Sequence, residues 1–178
     1  IGEVWIAAGQ SNMEMPMKGF QSQPVENSLD LILSSENEQV RLFMTKRTAA
    51  KEPMSTMVGS WKEASVASTP DFSATAYLFA RRLQSVLKVP VGVICSAWGG
   101  TSILGWMPEE AINRTISAEE KAAIIAINDA AKNHPALLYN GMIAPMEGFA
   151  ARGFIWYQGC ANVAHPEPYA RLLRSMIQ

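Results

Sequence analysis

The sequence predicts an α/β domain built on a three-layer, doubly wound parallel sheet. Short apolar runs, Val4–Ala8, Val91–Ser96 and Gly153–Gln158, lack polar alternation, as strands buried on both faces do. Helix-like stretches separate them. Strands alternating with helices imply right-handed crossovers over a parallel sheet. Each run also ends in a turn that carries serine, glycine or asparagine: Gly9-Gln10-Ser11, Trp98-Gly99-Gly100 and Gly159-Cys160-Ala161-Asn162.

The elements follow in order. After the first strand, Met13 to Pro24 holds two prolines and a glycine and reads as an active-site loop. Met13, Met15 and Met17 fill gaps beneath such a loop more often than they bind a metal. Leu29, Ile32 and Leu33 have helical spacing and lead to a strand over Val40–Thr45. Lys46 to Ser60 is polar and reads as a surface loop. Phe72, Ala76, Phe79, Ala80, Leu83 and Leu87 mark an amphipathic helix, with start chemistry at Thr69-Pro70-Asp71 and a stop at Pro90. Ser117 and Glu120 have capping-box spacing, so a helix should run to about Ala131 with Ala123, Ile124 and Ile127 on its apolar face. A last helix starts near Pro168 and turns Leu172, Leu173 and Met176 inward.

Composition narrows the function. At 178 residues, with 48% hydrophobic and 17% charged residues, the chain has room for one compact domain. A net charge of -1 argues against a nucleic-acid surface, and no apolar run is long enough to span a bilayer. Two cysteines, Cys95 and Cys160, read as thiols rather than a disulfide framework.

In an open α/β sheet, ligands bind outside the carboxyl ends of the strands. Ser11 stands at such an end, either as a nucleophile or as a cap for the next helix. Met13 stands where a G-x-S-x-G elbow needs its second glycine, which argues against an ordinary α/β-hydrolase.

Four segments, Gly9-Gln10-Ser11-Asn12-Met13, Trp98-Gly99-Gly100-Thr101, Tyr139-Asn140-Gly141-Met142-Ile143-Ala144-Pro145 and Trp156-Tyr157-Gln158-Gly159-x-x-Asn162, span nearly the whole chain. In this order they resemble the SGNH hydrolases, and among them the sialate O-acetylesterase-like carbohydrate esterases. The resemblance implies a flavodoxin-like strand order and a serine esterase that needs no cofactor or metal. Its substrate would be an acetylated carbohydrate, sialic acid or another glycan. Ser11 would be the nucleophile, and oxyanion donors would come from its own N–H, from Gly100 and from the Asn162 amide. Gln10, Trp98, Gly99 and Gln158 would orient the site or touch substrate. Trp98, Trp106, Trp156 and Tyr157 either line a sugar-sized pocket or pack the core. Cys160 departs from the family, which commonly has an acidic residue at that position.

The base is the larger departure. The family's Asp-x-x-His motif is not found, and the only histidines are His134 and His165. His165 lies three residues after Asn162 and is a weak candidate; His134 reads as an exposed loop residue. The chain begins at Ile1, directly before a core strand, and stops at Gln178 inside a helical pattern. The expectation is therefore one SGNH-like domain cut from a longer protein. A further strand, helix and base would lie beyond Gln178, and the isolated chain would associate with such a segment. The other expectation is a non-catalytic carbohydrate binder that kept the pocket. Either would work in a secreted, periplasmic or lysosomal setting.

Overall fold

A computed structural model describes residues 2–178. They form two compact units. Within the described residues, the first comprises residues 2–46, Val58–Gly99 and Phe149–Tyr157; the second comprises Arg47–Met57, Gly100–Gly148 and Gln158–Gln178.

The first unit holds the sheet. Its strands are β1 (Glu3–Gly9), β2 (Asn37–Met44), β3 (Trp61–Ala64), β4 (Val91–Ala97) and β5 (Gly153–Tyr157), in the order β3-β2-β4-β1-β5. β2, β4, β1 and β5 run parallel, and β3 pairs antiparallel with β2. The α/β class therefore stands, with two refinements. Charged β3, in which only Ala64 is buried, gives the sheet an antiparallel edge that no apolar pattern announces. The order also differs from the flavodoxin-like one, since β4 lies between β1 and β2. β4 is buried at every position, so the most apolar strand takes the centre. β5 pairs with β1 and forms the other edge, leaving Phe154 62% exposed.

α1 (Ser11–Glu14), α2 (Ser28–Leu33) and α3 (Ala74–Leu87) complete this unit. Small residues Ala76 and Ala80, four apart on α3, let it pack closely over Val40, Leu42, Val93 and Cys95. Met13 and Met17 fill the same core. The N-cap of α3 is Ser73 rather than the predicted Thr69-Pro70-Asp71. Its Oγ accepts the Ala76 N–H at 3.0 Å and donates to the Met13 carbonyl, a use of the hydroxyl that only the fold reveals.

The second unit is helical: α4 (Glu109–Thr115), α5 (Ala118–Ile127) and α6 (Pro166–Ile177), joined by 3₁₀ turns and one π turn at Tyr139–Ile143. The capping box forms as predicted, with Ser117 Oγ accepting the Glu120 N–H and Glu120 accepting the Ser117 N–H. α5 ends at Ile127, short of the predicted Ala131. Asn128 turns extended there, and Asn133 Nδ2 bonds its carbonyl at 3.0 Å. The predicted apolar face shrinks accordingly to Ile124, while Ile127 stays exposed. Gly141 has a packing role: a Cβ there would meet the Thr48 carbonyl oxygen at 2.2 Å. Beside it, Asn140 Nδ2 donates to the carbonyls of Ala50 and Lys51.

Candidate active site

Three parallel strands of the first unit end level with one another. Gly9 pairs in register with Ala97 on β4 and Tyr157 on β5. The chain leaving β1 is pinned on both sides: Gln10 N–H donates to the Tyr157 carbonyl and Trp98 N–H to the Gly9 carbonyl, each at 3.0 Å. Gly9 has φ 146°, and a Cβ there would lie 2.2 Å from the Tyr157 oxygen. Only glycine tolerates that approach.

Ser11 therefore opens α1 at the carboxyl edge of the sheet. The capping role open to it in the sequence is not taken: Gln10 holds the N-cap position, and no side chain caps the helix. Ser11 Oγ is part-exposed and makes no hydrogen bond among the described residues. As the first residue of the helix, its N–H has no intrahelical acceptor. Gln10 is buried just before it.

At the end of β4 the Gly99 N–H donates to Glu14 Oε2 at 2.8 Å. A Cβ on Gly99 would sit 2.9 Å from that oxygen and 3.4 Å from Ser11 Cβ. Gly100 follows with φ 67°, exposed, and makes no hydrogen bond among the described residues. Of the two glycine amides, only that of Gly100 lacks an internal acceptor.

In the second unit the Asn162 side chain is buried and locked. Its Oδ1 accepts the Ile103 N–H at 3.1 Å and a Gln158 Nε2 hydrogen at 2.7 Å. A backbone N–H only donates, so the amide cannot be turned the other way. Nδ2 donates one hydrogen to Ser102 Oγ at 3.2 Å, and its other hydrogen has no acceptor among the described residues. Gln158 donates its other hydrogen to the Thr101 carbonyl at 2.9 Å. Trp106 donates to Thr101 Oγ1 and is 2% exposed, so for it the core reading holds. Trp98 and Trp156 are part-buried, while Tyr157 is 46% exposed.

The histidines differ. His165 precedes α6, and its Nε2 is buried with no partner among the described residues. Among the described residues no carboxylate holds its imidazole as a triad histidine's would be held. His134, expected as an exposed loop residue, lies outside the helices and strands with its side chain 43% exposed, and its Nε2 meets Asp129 Oδ1 at 2.7 Å. Cys160 is exposed and Cys95 buried, and neither forms a disulfide. Two clefts within single units, of about 290 and 520 Å³, contain none of the candidate residues.

A family model described as carbohydrate esterase, sialic acid-specific acetylesterase matches residues 1–178. The chain belongs to this family. It is 26% identical over 170 residues to the sialate O-acetylesterase of Pongo abelii, covering 91% of this chain and 32% of that protein. The sialate O-acetylesterase of Rattus norvegicus is 27% identical over 195 residues, covering 90% and 35%. The chain thus spans about a third of the length of these curated relatives. A solved carbohydrate acetylesterase from Xanthomonas citri superposes with TM-score 0.84 at 31% identity, covering 99% of this chain and 37% of that one. Membership in the family accounts for the order of the motifs. Two contributors escaped the sequence reading. Glu14 was signalled only by lying one helical turn after Ser11, and Ser102 only by following the glycine pair.

Proposed function

We propose that this chain carries the nucleophile and oxyanion donors of a carbohydrate O-acetylesterase. The observation that carries the reading is Ser11, uncapped and open, at the level where β1, β4 and β5 end. Family membership supports the reaction class, and the locked Asn162 amide supports the oxyanion role.

Ser11 Oγ attacks the acetyl carbonyl, and its proton passes to a base. The carbonyl oxygen gathers negative charge, which the Ser11 N–H, Gly100 N–H and Asn162 Nδ2–H receive. The sugar alcohol leaves with the proton, giving acetyl-Ser11. Water then attacks the acetyl carbon, frees acetate and restores the hydroxyl. The base is assigned to neither His165 nor His134. It is proposed to be an Asp-x-x-His pair supplied from outside residues 1–178, as the family pattern implies. Gln158 holds Asn162 in place. Sialic acid or another acetylated glycan is the proposed substrate, and action outside the cytoplasm the proposed setting. An uncleaved, signal-free N-terminus on the native protein contradicts that setting.

The unbonded Ser11 hydroxyl also favours a second reading, a carbohydrate binder without turnover. A fluorophosphonate probe followed by peptide mass mapping of the native polypeptide separates the two. Labelling of Ser11, lost in Ser11→Ala, supports the esterase. An unlabelled Ser11 in a protein that binds acetylated sugar supports the binder.

A further inference from the structure

We propose that Glu14 is a positioning residue that sets the oxyanion loop, an inference that rests on the esterase reading above. The Glu14 carboxylate accepts the Gly99 N–H at 2.8 Å. Its platform is rigid. Glu14 N–H donates to the Gln10 carbonyl, Met15 N–H to the Ser11 carbonyl, Thr75 Oγ1 to the Asn12 carbonyl and Ser73 Oγ to the Met13 carbonyl. The turn that presents the nucleophile therefore also holds the start of the glycine loop.

The clamp has two consequences. It occupies the Gly99 amide, so the donor left for an oxyanion is the next one, Gly100. It also favours glycine at 99, because a Cβ would stand 2.9 Å from the clamping oxygen and push the carboxylate aside. Charge alone makes Glu14 a poor neighbour, since a carboxylate raises the energy of a nearby developing oxyanion. The useful property is the acceptor, not the charge. A neutral amide of the same length should therefore serve as well.

The experiment compares wild type, Ser11→Ala, Glu14→Ala, Glu14→Asp and Glu14→Gln in the native polypeptide. kcat and KM are measured with 4-nitrophenyl acetate, with thermal melts as the control for folding. Displacing an oxyanion donor by about 1 Å costs up to roughly 100-fold in rate. Glu14→Ala and Glu14→Asp should lose about 10- to 100-fold in kcat with KM within about twofold. Glu14→Gln should keep kcat within about threefold, because its amide oxygen still accepts the Gly99 N–H. Glu14→Asp keeps the charge and the helix, so it decides the matter should Glu14→Ala fail to fold. Full kcat in Glu14→Asp, or a loss in Glu14→Gln equal to that in Glu14→Asp, overturns the proposal. If Ser11→Ala retains turnover, the nucleophile reading falls and this proposal with it. If Ser11→Ala is silent while Glu14→Asp is unimpaired, the Glu14 assignment alone falls.

Discussion

Removing the Asn162 side chain tests whether its locked amide serves catalysis or only packing. Asn162 is 2% exposed, and its side chain makes three internal hydrogen bonds. In Asn162→Ala the Ile103 N–H and one Gln158 N–H lose their acceptor, whereas Ser102 Oγ still receives the Leu104 N–H at 3.3 Å. Each buried orphan costs about 1–3 kcal/mol, and a water entering the space satisfies part of the pair. The expected destabilisation is about 2–4 kcal/mol, a fall in Tm of roughly 5–15 °C for a chain of this size. Asn162→Asp retains an oxygen for both donors, but its second oxygen replaces the N–H proposed to meet the oxyanion. Both variants should lose roughly 10²- to 10³-fold in kcat when assayed well below their melting temperatures. Matched loss of kcat with unequal loss of Tm identifies the N–H as the shared cause. If Asn162→Ala, held folded, hydrolyses a model acetyl ester within about threefold of wild type, the oxyanion assignment is wrong.

Further outcomes follow from single residues. Gly9→Ala forces a Cβ to 2.2 Å from the Tyr157 carbonyl at φ 146°, so β1 and β5 must part; denaturant titration should show a loss of about 3 kcal/mol or more. Burial pushes the Cys95 thiol up to about 12, so in the folded protein iodoacetamide should label Cys160 and leave Cys95 untouched, as read by peptide mass mapping. A raised folded pKa also means that the Cys95 contribution to stability is complete below the ordinary thiol value of 9 and is lost as pH rises towards 12. The Ser117 backbone N–H, and then Arg171, hold the Glu120 carboxyl below its ordinary value. Its contribution is present above the usual carboxylate range and fades as pH falls, so Glu120→Gln should flatten the acid side of the melting profile.

The parts of the fold legible in the sequence were those set by local pattern. Continuous apolar runs located β1, β4 and β5; the covered-on-both-faces reading holds best for β4, buried throughout, and fails for β5, an edge strand with no buried residue. The Ser117–Glu120 box was legible to the residue, since it needs only neighbours in one turn. β3 was not, because two of its four residues are charged and it is held by pairing with β2. α4 buries only Ile112, too little to make a periodic signal. The site divides in the same way. The spacing from Gln158 to Asn162 was visible in the chain, but their shared lock uses Thr101, Ser102 and Ile103, far away in sequence. The Glu14 clamp exists only because β4 delivers Gly99 to the turn after β1.

The proposed reaction passes through an acetyl group carried on Ser11. The direct measurement is rapid quenching of the native polypeptide during turnover of an isotopically labelled acetyl ester, followed by peptide mass mapping. Turnover through acetyl-Ser11 places labelled acetyl on Ser11 in the peptide spanning α1, rising and decaying with turnover and absent from Ser11→Ala. Acetate released by Ser11→Ala at the wild-type rate, or labelled acetyl found on another side chain in step with turnover, contradicts it.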